Sequence, residues 1–341
     1  MNMPADLQFF SDLNSLQAIA IGYRSSKPLL VALHYDLFSR IAGGLDSSRR
    51  LSRKLGLDLR ALEILLNALA TLGFLHKRNG RYVNATSAKK FLVAGSPNYM
   101  GNILKYQELT WDAWSDLRFV LKKGQPRRML LDWIRKRSFT KDYIRAMGDV
   151  ARVPARELAA RLDWAGVGRT LDVGCGAGTF SAAFVERNPR VRGVLLDLPV
   201  TLRVTKELLK EHPQLGRLSF READFLADSF GCEEFDLILI SNVTHVENEA
   251  NNRRLVQKAY RALKPQGRLV IHDFVIGPDR TVPRFSALLA LHLLLFTGKG
   301  SVYTLDEYRS WMNNAGFNRI SDISIAKNSL HPSVAIVGQK S

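Results

Sequence analysis

Cysteine is nearly missing from this chain: 341 residues hold only Cys175 and Cys232. That excludes a disulfide scaffold and fits a reducing compartment, so a cytoplasmic location is expected. The start of the chain lacks a basic stretch leading into an apolar core, because Asp6 and Asp12 intervene, and no secretory signal is read there. Long hydrophobic runs are missing too. The longest, about Phe285 to Phe296, contains His292 and falls short of the roughly 20 residues a bilayer crossing needs, so a buried helix is expected and no membrane span. The sequence has no H-x-x-x-H, C-x-x-C or D-x-D spacing, which argues against a metal centre, and no G-x-S-x-G nucleophile elbow.

Acidic residues are in deficit. Asp and Glu number 32 against 49 Lys and Arg, a net charge of +17. The excess gathers at Arg49, Arg50, Arg53 and Lys54, and again along Lys122, Lys123, Arg127, Arg128, Arg135, Lys136 and Arg137. Such a surface attracts polyanions without sequence preference or steers an acidic substrate, although a charge run is most often a solvated face. Apolar content of 46% and charged content of 24% are those of a globular protein long enough for two domains.

The first 100 or so residues read as helical with one hairpin. Apolar residues recur at helical spacing over Leu7–Ile21 and Pro28–Ile41. A short helix over Ser47–Leu55 and a longer one over Asp58–Leu72, with Asp58 as N-cap and Gly73 as stop, lead into Phe74–Arg78, Asn79-Gly80 and Arg81–Val83, a hairpin with a type I′ turn. Helix, helix, hairpin is the order of a winged helix. Residues 101–165 are again helical and rich in aromatics: Tyr106, Trp111, Trp114, Phe119, Trp133, Phe139 and Tyr143. From residue 166 strands alternate with helices. Strands are expected at Arg169–Val173, Gly193–Asp197, Leu218–Glu222, Phe235–Ser241, Arg268–Asp273, Ile320–Ala326 and Val334–Gly338. The fold class is therefore α/β, a doubly wound, mostly parallel sheet whose last two strands pair antiparallel.

The first of those strands runs into Gly174-Cys175-Gly176-Ala177-Gly178-Thr179. Glycines at this strand–helix turn let backbone approach a nucleotide-like ligand. The spacing is G-x-G-x-G, and Thr179 stands where a dinucleotide fingerprint needs Gly or Ala, which favours S-adenosylmethionine (SAM) over NAD. Asp197 ends the second strand, about 20 residues on, where an acid holds ribose hydroxyls. Asp224-Phe225 follows the third strand; the carboxylate suits an adenine amino group and the ring packs a base. The fourth strand leads to Ser241 and His245, and the fifth ends in Asp273. A histidine on that edge is able to take a proton from a substrate hydroxyl, with Asp273 orienting it; on spacing alone a helix cap for the histidine and a turn cap for the aspartate are equally open readings. His272 alternates away from Asp273 and is left outside the site.

Taken together the chain resembles the two-domain, SAM-dependent O-methyltransferases of the caffeic acid and hydroxyindole type. Besides the glycine loop, the resemblance rests on Phe139–Met147, on Leu162-Asp163-Trp164, on Thr297-Gly298-Lys299-Gly300, on Tyr303–Tyr308 and on Asn314-Ala315-Gly316-Phe317. It implies a winged-helix dimerisation domain over residues 1–100, a helical segment 101–165 that helps line the acceptor pocket, and a SAM-binding catalytic domain over 166–341. It implies a homodimer. It assigns Gly174, Gly176 and Gly178 to the methionine end of SAM, Asp197 to the ribose, and Asp224 and Phe225 to the adenine. Ser241 falls where a lysine near the cofactor is common, His245 at the catalytic base, and Asp273 at the first of two supporting acids. The second acid is missing, with Val302 near its place, and His245-Val246-Glu247 replaces the usual His-Asp-Trp.

The expected reaction is methyl transfer from SAM to a hydroxyl of an aromatic or polyketide-like small molecule, leaving S-adenosylhomocysteine. Transfer to carbon or nitrogen on the same fold is the near alternative. A ligand-responsive DNA-binding regulator is the distant one. Against it, the would-be reading helix, Leu59–Leu72, offers only Arg60, Glu63 and Asn67 to base edges, too few for specific nucleic-acid recognition.

Overall fold

The computed structural model describes residues 12–130, 132 and 137–341. The start of the expected helix from Leu7, and Trp133, Arg135 and Lys136, lie outside the described residues. The chain divides into two compact units between Trp111 and Asp112.

The first unit begins with α1 (Leu13–Ala20), α2 (Tyr23–His34) and α3 (Leu37–Ala42). The single helix expected over Pro28–Ile41 is in fact two. Asp36 takes a left-handed conformation, φ 54°, and turns the chain between them. An apolar pattern that continues across the break hides it, and Asp is among the few non-glycine residues that tolerate that geometry. Next come α4 (Ser48–Leu55) and α5 (Leu59–Thr71). Ser47 and Asp58 cap them, accepting from Arg50 N at 3.4 Å and Ala61 N at 2.7 Å. The hairpin β1 (Leu75–Arg78) and β2 (Arg81–Asn84) turns through Asn79 and Gly80, φ 49° and 74°, as a type I′ turn requires. Phe38, Leu51, Leu66, Leu69 and Tyr82 form its fully buried core. Two short helices close the unit, α6 (Thr86–Phe91) and α7 (Gly101–Leu109).

Two of the three α5 residues offered to a base edge are already engaged. Glu63 pairs with Lys77 at 3.1 Å, and Asn67 Oδ1 accepts from Lys77 Nζ at 3.0 Å and Tyr82 Oη at 2.8 Å. These side chains hold the hairpin.

The second unit opens with α8 (Trp111–Ser115, its first residue in the unit before) and α9 (Leu117–Lys123), then α10 (Arg137–Arg161). Its centre is a seven-stranded sheet. The strands are β3 (Arg169–Val173), β4 (Arg192–Asp197), β5 (Leu218–Glu222), β6 (Phe235–Ser241), β7 (Leu263–Asp273), β8 (Phe317–Ile325) and β9 (Ser333–Lys340). Their order is β5-β4-β3-β6-β7-β9-β8. The first five run parallel, and β9 lies antiparallel between β7 and β8. All seven strands stand where the apolar runs placed them, with ends shifted by a few residues. Strands covered on both faces read as continuous apolar runs, which is why Leu237 to Ile240 and Leu269 to Ile271 are all fully buried.

Helices α11 (Thr179–Arg187), α12 (Pro199–Leu209), α13 (Glu249–Ala262), α14 (Arg284–Phe296) and α15 (Leu305–Ala315) complete the unit. The apolar run expected to be a buried helix is α14, and it is only half covered. Leu293, Leu295 and Phe296 are buried while Leu288 is 49% exposed. Among the described residues no helix is long and apolar enough to cross a membrane.

Candidate active site

The sheet order reverses beside β3, which is flanked by β4 and β6, and ligands of open α/β sheets bind outside the carboxyl ends of the strands at that point. Register brings those ends level: Val173 pairs with Leu196 and Ile240, and Ser241 with His272. One edge thus gathers Gly174, Asp197, Ser241 and Asp273.

The glycine loop is a packing device on two sides and an opening in the middle. Gly174, Gly176 and Gly178 have φ of 67°, 53° and 74°, and a Cβ added at Gly174 would stand 2.6 Å from Val243 Cγ2. At Gly178 it would meet Leu195 and Leu209 at 2.8 Å; at Gly176 it would meet nothing within 4 Å. The loop therefore closes against the fold at its ends and leaves space over Gly176. The Phe225 ring lies 3.8 Å from the Gly174 Cβ position, so β5's end reaches the loop. Asp224 is exposed, and its Oδ1 accepts from Leu226 N at 2.8 Å. Gly148 of α10 packs on Ala177 from the other side, with its added Cβ at 3.1 Å.

Asp197 braces the loop. Its Oδ2 accepts from Gly176 N at 3.0 Å and its Oδ1 from Leu198 N at 2.7 Å. Burial nevertheless pushes its carboxyl above the ordinary value. Asp172, one strand over and bonded to Ser181 Oγ at 2.8 Å, is pushed up to about 7 by burial, with the Asp197 charge adding to it. Tyr143 of α10 feels the same charge; burial first, then Asp197, raises its phenol to about 12. The sequence marks Tyr143 only as one aromatic among several, because α10 and β4 meet only in the fold.

Ser241 is engaged by a neighbour that sequence reasoning set aside. Its Oγ is 2.9 Å from His272 Nδ1, and His272 Nε2 is 2.9 Å from Ser333 Oγ. Burial lowers His272 to about 4, so the ring is neutral and joins the two hydroxyls. Asn242, next along, was missed altogether. It holds φ 55°, and its Oδ1 is buried with no partner among the described residues. A strained, orphaned polar group at the carboxyl edge is a sign of ligand contact.

His245 sits in a 3₁₀ turn, Thr244–Val246. Its Nδ1 lies 2.6 Å from Asp273 Oδ1. Burial opposes the Asp273 charge, but His245 and the hydrogen bonds of His245, Thr244 and Phe274 together hold the carboxyl below its ordinary value. An ionised Asp273 only accepts, so Nδ1 carries the proton and Nε2 is the basic nitrogen. Beside the pair stands an apolar wall of Phe274, Ile276, Leu293 and Val302, with Phe285 edge-on to Phe274 at 4.8 Å. A separate cleft of about 240 Å³, lined by Asp112, Asp116, Arg127, Arg128 and Leu295 among others, contains none of these groups.

A doubly wound sheet whose final strand returns antiparallel between two others is the fold of the SAM-type methyltransferases, and the second unit has it. Residues 125–318 match an O-methyltransferase domain and residues 18–94 an O-methyltransferase dimerisation domain. The chain belongs to the O-methyltransferase family, which takes its methyl group from SAM. The 3-hydroxy-5-methyl-1-naphthoate 3-O-methyltransferase of Streptomyces sahachiroi is 28% identical over 316 residues, 91% of either chain. The N,N-dimethyltransferase OxyT of Streptomyces rimosus is 27% identical over 89% of this chain and 90% of its own. Human N-acetylserotonin methyltransferase, solved in complex with SAM, superposes with a TM-score of 0.86 at 21% identity over 99% of both chains.

Proposed function

We propose that this chain methylates a hydroxyl of an aromatic or polyketide-like small molecule, with His245 as the base and Asp273 as its support. The His245–Asp273 pair, 2.6 Å apart beside an apolar wall, carries the reading. Bound SAM supplies an electrophilic sulfonium methyl. Gly174, Gly176 and Gly178 hold its methionine end, Asp197 its ribose, and Asp224 and Phe225 its adenine. The residues fit such a ligand: space is open over Gly176, and Asn242 offers an unpartnered acceptor. Ser241 stands near the cofactor, its hydroxyl also bonded to His272. The apolar wall seats the flat acceptor, and His245 Nε2 takes the hydroxyl proton.

Incubation with methyl-labelled SAM and a panel of hydroxynaphthoates and phenols tests this. A methyl ether is expected, with His245→Gln losing about 10²- to 10⁴-fold in rate while keeping SAM affinity. An N- or C-methyl product from an enzyme indifferent to His245→Gln would move the assignment to the alternative acceptors.

The functional unit is a homodimer joined through the first unit, in the cytoplasm, where Cys175 and Cys232 remain free thiols. Helix α1 buries no residue of its own, while Leu13, Leu16 and Ile19 are 68%, 56% and 54% exposed. Large apolar side chains displayed together call for a partner surface. Leu16→Asp with Ile19→Asp should sediment as a monomer; a persistent dimer would place the interface elsewhere.

A further inference from the structure

We propose that Thr244 and Tyr308 form a hydroxyl relay that positions Asp273 behind His245, in place of the second acid this sequence lacks. The inference rests on the base reading of His245. Asp273 is wholly buried and fully subscribed. Its Oδ1 accepts from His245 Nδ1 at 2.6 Å and Phe274 N at 2.8 Å, and its Oδ2 from Thr244 Oγ1 at 2.5 Å and His245 N at 3.3 Å. Thr244 has one proton and spends it on the carboxylate, which has none to give. Its contact with Tyr308 Oη, 2.7 Å away, is therefore donated by the tyrosine. Proton order runs Tyr308 to Thr244 to Asp273, with His245 donating from the other side.

Both hydroxyls are fully buried, so no water competes for them. Burial, and then the Asp273 charge, keeps the Tyr308 phenol protonated. Its place is set by the capping box of α15, where Thr304 and Glu307 satisfy one another's backbone, and by edge contacts with Tyr303 and Trp311 at 6.1 and 5.0 Å. No other acid takes the role at the neighbouring positions. Val302 is packed among Phe274, Ile276 and Leu293, and Glu247 is held by Lys299 at 2.6 Å and Asn251 at 2.5 Å. The titratable groups facing the relay are His245, His272 and Asp273 around the carboxylate, His292 of α14 across from His245, and Tyr303 and Glu307 around Tyr308.

Without the Thr244 hydroxyl, Oδ2 keeps only the long backbone contact. More charge then falls on Oδ1, which faces the imidazole. Thr244→Val should lower kcat about tenfold, the scale of a lost bond to a charged group. The acidic limb of its kcat–pH profile should move to higher pH, with KM for the acceptor and affinity for SAM unchanged. Thr244→Ser should restore both, and Tyr308→Phe should move the limb the same way by less. The His245 Nδ1–H resonance, assigned by its loss in His245→Gln, reads the relay whether or not the reaction needs a base, and should shift in Thr244→Val and Tyr308→Phe. Unmoved resonances would overturn the relay. A loss of rate with an unmoved acidic limb would reduce Thr244 to a packing residue. Shifted resonances in an enzyme indifferent to His245→Gln would retain the relay and remove the base.

Discussion

Asp172 and Asp273 are both buried, 3% and 0% exposed, on strands of one sheet, yet they are pushed in opposite directions. Asp172 has one hydroxyl partner and a like charge nearby, and burial takes it up to about 7. Asp273 meets the same burial with a histidine and three further donors, and ends below its ordinary value. Burial alone does not decide the charge of an acid; the donors around it do. The contrast divides the edge into a half where burial raises the acids and a half where the surrounding donors lower one.

The contrast can be broken first at its braced end. Asp273→Asn keeps the shape but turns the support of His245 from an acceptor-only group into one that also donates, and it should cost about 10²- to 10⁴-fold in rate. SAM affinity should stay within twofold; a parallel loss of affinity would mean that the two halves are not separate.

At the unbraced end, ligand-free protein should respond in stability. Folded Asp172 holds its proton up to about pH 7, whereas an unfolded aspartate releases it near 3.8. Between those values the folded state binds more protons, so its stability falls as pH rises. At about 1.4 kcal/mol per pH unit the penalty approaches roughly 4 kcal/mol by pH 8. Asp172→Asn, which still accepts from Ser181, should be more stable than wild type by up to that amount at pH 8 and lose the advantage by pH 4, as read by urea unfolding. Equal stability at both pH values would place Asp172 in a wetter setting.

A smaller effect sharpens the ligand side. Asp197→Ala should weaken SAM binding about tenfold, roughly 1.4 kcal/mol, in a calorimetric titration. Unchanged affinity would remove Asp197 from the ribose.

The sheet was legible because its central strands are doubly covered and read as apolar runs; Leu171 to Gly174 and Phe235 to Ser241 carry their own punctuation. The break at Asp36 was not, since a left-handed aspartate leaves the apolar spacing intact. His245 and Asp273 could be named from strand ends only with the help of the family resemblance, and the fold sets them side by side. What supports them could not. Thr244 and Tyr308 are 64 residues apart, and Ser241 meets His272 only through strand register. Side-chain partnerships across elements leave no local pattern, and hydroxyls least of all, because Ser, Thr and Tyr serve equally as caps, surface and core.

Binding of SAM beside Asp172 and Asp197 is tested most directly by proton counting. SAM would be titrated calorimetrically at pH 6 into wild type and Asp172→Asn in buffers of different ionisation enthalpy. At that pH an α-amino group is already charged and Asp172 is mostly protonated. The account predicts that binding releases protons from wild type and fewer from Asp172→Asn. Binding with no proton release, or no binding at all, would contradict it.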